Sequence, residues 1–240
     1  FWQTRAIASV PNFCYINICM KIKLNTKIKS DQGLLVIPVF RENFDKMSSL
    51  WPESVKSFIK DRISFDKFKA KKNELFLTYL NDKSLPKRLL IIGSGGYGNF
   101  DGRAARELGG LLGKMAKKEK LTEMNLVLPE AMITQAPEIL EGLISVQYKT
   151  DRYKTGSANS SPNYRIELLN VICKSLPKSL EADLNKTVLL CAAMDLTKDL
   201  VNSPSNIVDG EYLAKEARRI AHENKYKIIV GTNKQAIKFV

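Results

Sequence analysis

The glycine-rich run at residues 93–98, G-S-G-G-Y-G, is the stretch whose residue types and spacing come nearest to a known binding motif. It matches G-x-G-x-x-G, follows an apolar run typical of a buried strand and precedes a helical pattern, the context of a dinucleotide-binding turn. Backbone N–H groups at such a turn can hold a phosphate. The acidic residue expected about 20 residues later is absent, because Glu130 lies too far on and Glu119 sits in a charged run. A tight strand-to-helix turn explains the glycines equally well.

Three further glycines, Gly109, Gly110 and Gly113, precede Lys114 in an arrangement partly like a phosphate-binding P-loop. No Ser or Thr follows the lysine, and the first glycine is misplaced for that motif. We therefore predict that these glycines allow a close approach between two helices.

The remaining reactive side chains form no recognisable catalytic or metal-binding pattern. His222 is the single histidine and has no His or Cys four residues away, so a metal site there is not expected. No nucleophile-elbow motif supports a Ser-His-Asp or Cys-His system. The four cysteines, Cys14, Cys19, Cys173 and Cys191, match no metal-ligand spacing. Two of them lie in apolar runs and are predicted to be buried thiols in a reducing, cytoplasmic compartment.

The carboxylates are scattered rather than clustered. A two-metal site needs several Asp or Glu ligands that converge on ions about 3.5–4 Å apart. The sequence therefore predicts no catalytic, cofactor-binding or metal-ligating residue within these 240 residues.

The net charge of +13 is high for a chain of ordinary globular composition. The densest basic stretch, residues 54–72, holds seven Lys or Arg against two Asp, and aromatic and aliphatic residues alternate with them. We interpret it as the solvated face of amphipathic structure. A patch that binds nucleic acid is the alternative.

Apolar runs and alternation along the chain predict an α/β domain around these residues. Strands are expected at 21–29, 34–40, 74–80, 88–93, 124–130 and 164–174. Helices are expected at 51–61, 102–118 and 136–148, and a polar loop at 154–163. Ala104, Leu108 and Leu112 share the inner face of the second helix, with Asp101 as its N-cap. Alternation of strands and helices favours a mostly parallel sheet with helices on its faces.

A second unit begins after residue 175. A long helix at 178–201 has an apolar centre, V-L-L-C-A-A-M, that predicts burial between two packed bodies. After a turn, Asp209 caps a further helix whose residues Leu213, Ala217 and Ile220 are expected to face inward. A strand is predicted at 226–230, after which the chain starts another unit.

The first 19 residues precede the first predicted strand. The chain begins with Phe1, and a plausible first strand directly follows Met20. We expect Met20 to be the natural start and residues 1–19 to be non-native or disordered. The uncharged run at residues 6–20 is too short and too polar to span a bilayer, so no membrane association is expected.

Two segments resemble the leucine aminopeptidase (cytosol aminopeptidase) family. Residues 199–221, D-L-V-N-S-P-S-N-I-V-D-G-E-Y-L-A-K-E-A-R-R-I-A, are similar to the start of that family's catalytic domain. Residues 141–154, E-G-L-I-S-V-Q-Y-K-T-D-R-Y-K, are similar to its segment near the end of the N-terminal domain. The strand and glycine turn at 88–96 also fit the family, which weakens the nucleotide interpretation. Gly210 is a departure, because the family usually has Pro there.

The resemblance implies a macro-like N-terminal domain with a mixed, mostly parallel sheet, then a connecting helix and a truncated second α/β domain. The N-terminal domain is expected at 20–175, the connecting helix at 176–201 and the start of the second domain at 202–240. It implies a metal-dependent aminopeptidase that removes N-terminal residues from peptides with two divalent ions, zinc or manganese. The ligands are expected beyond these residues, so this chain alone is expected to be inactive and to bind no metal pair. The full-length protein is expected to be a cytoplasmic hexamer; a basic module binding nucleic acid or a phosphorylated ligand is the alternative.

Overall fold

The computed structural model describes residues 20–28, 32–42, 51, 53, 55–57, 68–149 and 164–231. The predicted leader at 1–19 and the polar loop at 154–163 lie outside the described residues. So does much of the predicted helix at 51–61, of which Glu53 and residues 55–57 are helical.

Six strands form one mixed sheet. They are β1 Lys21–Asn25, β2 Leu34–Val39, β3 Leu75–Tyr79, β4 Arg88–Gly93, β5 Glu123–Val127 and β6 Leu168–Ile172. Their order across the sheet is β1-β6-β5-β2-β4-β3. Every neighbouring pair is parallel except β3, which runs antiparallel to β4 at one edge. The prediction of a mixed, mostly parallel sheet is confirmed.

The two strands with continuous apolar runs lie inside the sheet, as such runs require. All six residues of β2 are buried, as are five of the six in β4. The edge strand β3 alternates between exposed and half-buried positions instead, and in the other edge strand, β1, two of five residues are buried. The central strands thus supply the hydrophobic core that holds the sheet together.

Four long helices accompany the sheet: α1 Gly102–Lys118, α2 Ala136–Ser145, α3 Leu180–Asn202 and α4 Gly210–Glu223. Helix α1 has the predicted bounds, and the Asp101 carboxylate caps it by accepting the backbone N–H of Ala104 at 2.8 Å. The strand predicted to reach residue 130 ends at Val127, because Glu130 opens a short 3-10 turn. Helix α2 ends at Ser145, earlier than predicted.

Glycines let α1 and α2 interlock, as predicted for Gly109 and Gly113, whereas the prediction is wrong for Gly110, where a Cβ would have only ordinary contacts. A Cβ on Gly109 would overlap the carbonyl oxygen of Ile139, and one on Gly142 would overlap that of Arg106. A Cβ on Gly113 would overlap the side chain of Val146. Backbone therefore lies against backbone where these helices cross, which leaves no room for a methyl group. Arg106 and Glu141 bridge the same pair with an ion pair of 2.8 Å.

Helix α3 buries one face against α2 and exposes the other. Leu180, Leu184 and Val188 are buried, whereas Leu190 is 55% exposed. The predicted burial of the helix centre on all sides is therefore wrong for the described chain, since one neighbouring layer covers only one side of a helix. No helix among the described residues is long and apolar enough to cross a membrane.

The last described segment departs most from prediction. Asp209 caps α4 as expected, accepting the N–H of Tyr212 at 2.8 Å. Leu213, however, is exposed rather than inward-facing. Residues 226–230 form no strand, and Ile229 is 97% exposed. A strand needs a neighbour for its backbone hydrogen bonds, and no described residue pairs with this segment as a strand.

Candidate functional site

The turn after β4 contains the glycine motif and lies at the carboxyl end of the parallel strands. Gly93 must be glycine, because a Cβ there would overlap the backbone of Lys71 and Ala70. Gly95 has a φ of +76°, a conformation that favours glycine. The chain then makes a single 3-10 turn, Tyr97–Asn99, before α1 begins. Tight turn geometry accounts for the two glycines.

Two of the protein's own carboxylates occupy the backbone donors of this turn. Glu42 accepts the N–H of Tyr97 at 3.0 Å, and that bond lowers the pKa of the Glu42 carboxyl. Asp101 accepts the N–H of Ala104, which likewise lowers the pKa of Asp101. A bound phosphate would lie beside negative charge here, which electrostatics opposes. The geometry therefore favours the tight-turn interpretation over the nucleotide-binding one.

The aromatic side chains around the turn anchor it to the core. Phe40, which follows β2, is fully buried and makes edge-to-face contacts with Tyr97 and Phe100 at ring-centroid distances of 5.3 and 5.2 Å. The turn is thus held in place by ring packing against Phe40 and by the hydrogen bond to Glu42.

A polar joint connects the segment after α2 to the end of α3. The Tyr148 hydroxyl donates to Asp199 Oδ1 at 2.8 Å and accepts from Asn202 Nδ2 at 3.4 Å. Lys198 Nζ lies 4.8 Å from the centroid of the Tyr148 ring. Burial raises the pKa of the Tyr148 hydroxyl above its ordinary value, while the hydrogen bond from Asn202 lowers it and the hydrogen bond to Asp199 raises it. We call these four residues the Tyr148 joint.

The Tyr148 joint unites the two segments that carry the family resemblance. Tyr148 belongs to the 141–154 segment, whereas Asp199 and Asn202 belong to the D-L-V-N turn. Sequence reasoning named these residues separately but did not predict their contact, because no local pattern reports a hydrogen bond across 51 positions.

The turn that leaves the joint is held by its own backbone. The Ser203 hydroxyl donates to the carbonyl of Asp199 at 2.6 Å, and the N–H of Ile207 donates to that of Pro204 at 2.9 Å. Asp209 then caps α4. A Cβ on Gly210 would meet nothing within 4 Å, so the structure gives no reason for glycine there in place of the usual proline.

The nucleophilic and metal-ligating side chains do not converge. Cys173 and Cys191 are buried free thiols, as predicted for two of the cysteines, and burial raises their pKa values to about 12 and about 11. His222 lies in the last turn of α4. Within the described ranges, no group of three or more His, Cys, Asp or Glu residues is arranged to hold a metal ion.

The strand order, the interlocked helix pair and the long helix fixed by the Tyr148 joint define an α/β domain followed by a connecting helix. Residues 36–157 match the model of the cytosol aminopeptidase family's N-terminal domain, which covers half of the chain. The chain belongs to the cytosol aminopeptidase family.

Curated relatives agree with this assignment. A probable cytosol aminopeptidase of a Cyanothece species is 25% identical over 213 residues, covering 85% of this chain and 42% of the relative. One from Solibacter usitatus is 30% identical over 138 residues, covering 57% of this chain and 28% of the relative. The chain thus matches less than half the length of these relatives.

Solved structures share the fold. A mutant of tomato leucine aminopeptidase superimposes with a TM-score of 0.71 at 19% identity, covering 91% of this chain and 46% of that one. The bottromycin maturation enzyme BotP superimposes with a TM-score of 0.61 at 16% identity, covering 86% of this chain and 40% of that one. At these identities the likeness shows the fold alone.

Proposed function

We propose that this chain is the N-terminal portion of a leucyl aminopeptidase-type metalloexopeptidase that removes N-terminal amino acids from peptides. The observation that carries the proposal is the match of residues 36–157 to the N-terminal domain of the cytosol aminopeptidase family. The Tyr148 joint supports it, because it ties that domain to the D-L-V-N turn with which the family's catalytic domain begins.

In this proposal the enzyme uses two divalent ions, zinc or manganese, whose ligands lie outside the described residues. Two-metal hydrolysis needs carboxylates gathered around ions about 3.5–4 Å apart. The described residues do not fit that requirement, since they contain no suitable cluster of metal-ligating side chains. We therefore assign no step of peptide hydrolysis to them, and we expect the chain alone to be inactive.

The exposed apolar surface of the second half is the face on which we expect the rest of the enzyme to pack. It is formed by residues of α3, of α4 and of the segments beside α4: Leu189, Leu190, Met194, Val201, Ile207, Leu213, Tyr226, Ile228 and Ile229. Nine large apolar or aromatic side chains are exposed along this stretch of the chain, which indicates a surface that another part of the protein covers. The matched relatives are more than twice as long as the part this chain covers, and the family resemblance further implies a cytoplasmic hexamer.

The proposal is tested by comparing two proteins, the 240-residue chain and the protein encoded when the reading frame is followed past Val240. Each is assayed with leucine p-nitroanilide in added manganese or zinc. We expect hydrolysis by the longer protein, abolished by a chelator, and none by the shorter one. Metal-dependent hydrolysis by the 240-residue chain would contradict our placement of the site. The nucleic-acid alternative would be favoured if the longer protein has no peptidase activity and if the chain shifts DNA in a gel with an affinity that falls steeply as salt is added.

A further inference from the structure

Strand β3 leaves one edge of the sheet open among the described residues. Its inner side faces β4: the N–H of Leu80 donates to the carbonyl of Lys87 at 2.8 Å, and the N–H of Gly93 donates to that of Glu74 at 2.8 Å. Backbone groups alternate direction along a strand. The N–H and C=O groups of Leu75, Leu77 and Tyr79 therefore point away from the sheet.

The same three residues present an apolar face. Leu75 and Leu77 are each 39% exposed and Tyr79 is 68% exposed, whereas Phe76 and Thr78 between them are half-buried. Outward backbone groups and outward apolar side chains thus coincide on one strand edge of five residues. We call Leu75, Leu77 and Tyr79 the β3 edge.

The β3 edge lacks the usual protection against strand pairing. Natural edge strands are guarded by proline, by charged side chains or by bulges. Residues 75–79, L-F-L-T-Y, contain neither proline nor charge, and they pair with β4 in unbroken register. An unguarded edge in a chain so rich in lysine indicates a surface that receives another strand.

Charge at the two ends of the edge indicates what that strand carries. Lys69 and Lys71 lie before β3, Lys83 and Lys87 lie after it, and all four are exposed. Two carboxylates lie beside these lysines and accept local hydrogen bonds: Glu74 accepts the backbone N–H groups of Lys69 and Lys71 at 3.1 and 2.8 Å, and Asp82 accepts the backbone N–H and the hydroxyl of Ser84 at 2.9 and 2.6 Å. An apolar centre between two basic ends is complementary to an extended segment with an apolar centre and acidic ends.

A second copy of the chain fits this edge poorly. Antiparallel self-pairing centred on Leu77 would bring Lys71 of each copy near Lys83 of the other, beyond the ends of the paired strands, and would set Asp82 near Lys72. Each copy also carries a net charge of +13, and this overall repulsion opposes association of two copies. The electrostatics therefore favour an acidic partner over self-association.

We propose that the β3 edge binds an extended peptide segment by strand addition. The segment has alternating apolar side chains at its centre and acidic residues at both ends. Its backbone pairs with Leu75, Leu77 and Tyr79 over roughly 17 Å, the length of five antiparallel residues. This activity is separate from peptide hydrolysis and does not depend on a metal ion.

The first test uses a fluorescein-labelled peptide of nine residues: two glutamates, five alternating valines and threonines, and two aspartates. Its binding to the 240-residue chain is followed by fluorescence anisotropy at low salt. Leu77→Lys is expected to weaken binding by about tenfold or more, roughly 1.4 kcal/mol, because it adds charge to an edge that must desolvate. Leu176→Lys is the matched control, since Leu176 is 40% exposed and lies outside every strand. Equal weakening by both variants, or by neither, would overturn the proposal.

Two further measurements fix the mode of binding. Hydrogen exchange should slow at the amides of Leu75, Leu77 and Tyr79 when the peptide binds, while those of Phe76 and Thr78 change little. Lys71→Glu combined with Lys83→Glu should abolish the preference for acidic over basic ends of the peptide, because the four end positions then carry no net charge. Protection elsewhere in the chain would refute strand addition. Self-association in sedimentation that Leu77→Lys abolishes would replace the peptide with a second copy.

Discussion

The two sides of helix α2 are built on opposite plans. On one side, α1 approaches so closely that Gly109, Gly113 and Gly142 leave no space for a methyl group. On the other side, α3 covers α2 with Leu180, Leu184 and Val188, then turns residues such as Leu190 to solvent. The contact between α1 and α2 is complete among the described residues, whereas the far side of α3 is an exposed apolar surface.

The two contacts differ in how completely the described residues bury them. Backbone-to-backbone packing between α1 and α2 gives a rigid unit on the sheet. The carboxyl end of α3, by contrast, is joined to the domain through the Tyr148 joint, which is polar and half-exposed. The outer face of α3 has no such contact among the described residues. Substitutions should therefore produce large losses at the buried contacts on both sides of α2 and small ones at the outer face of α3 and at the Tyr148 joint.

The largest contrast is expected within α3 itself. Leu184 is 1% exposed and Leu190 is 55% exposed. Leu184→Ala should lower the free energy of unfolding by about 3 kcal/mol, because it leaves a cavity against α2 and the sheet. Leu190→Ala should change it by less than about 0.5 kcal/mol. Urea denaturation of the 240-residue chain measures both, and a similar loss for the two variants would mean that the outer face is covered.

The glycine contact between α1 and α2 gives the next largest effect. Gly109→Ala should lower the free energy of unfolding by about 2 kcal/mol, because the added methyl group meets the rigid backbone at Ile139. Gly110→Ala is the matched control one residue away, where a Cβ would have ordinary contacts at 3.6 and 3.9 Å. That control should be neutral or stabilising by up to about 1 kcal/mol, since alanine favours helix more than glycine does. If both variants are equally stable, the helices are not interlocked.

The Tyr148 joint should contribute less. Tyr148→Phe removes the hydroxyl that donates to Asp199 and should cost about 1 kcal/mol. A double-mutant cycle with Asp199→Ala isolates the pair, and the two changes together should cost less than the sum of the single changes. Additive losses would show that the hydroxyl and the carboxylate do not interact in solution.

The smallest effect is a pH dependence at the turn before α1. The hydrogen bond from Tyr97 lowers the pKa of Glu42 below its ordinary value of 4.5. The stability that this carboxylate contributes is therefore complete above pH 4.5 and is lost as the pH falls through the lower folded value. The urea midpoints of the wild-type chain and of Glu42→Gln should differ at neutral pH and converge in acid. A difference that persists unchanged in acid would point to packing rather than charge.

Sequence reasoning succeeded where the cause of structure is local. The bounds of α1 and the caps at Asp101 and Asp209 follow from neighbouring residues, and the structure confirms them. It failed where burial depends on a distant surface: Leu213 has the spacing of an inward residue but remains exposed. The apolar segment 226–230 has the composition of a strand without a paired neighbour.

At the candidate site too, the local features were predictable from the sequence and the contacts between distant residues were not. The glycine pattern at 93–98 predicted a turn correctly, but the pattern could not show that Glu42, 55 positions from Tyr97, supplies the carboxylate that holds it. The Tyr148 joint likewise depends on how α2 and α3 are brought together by the sheet. Contacts of this kind follow from the three-dimensional arrangement of whole elements, which neither composition nor periodicity encodes.

The position of β1 in the sheet also has a consequence for how the protein is made. Lys21 pairs across the sheet with Leu168, so the first strand emerges from the ribosome long before the strand that receives it. At about 5–20 residues per second, synthesis of the intervening chain takes roughly ten seconds or more. During that interval β1 must wait unpaired, and the sheet closes only when β6 leaves the exit tunnel. We therefore expect newly made chains to be most prone to aggregation before β6 is complete.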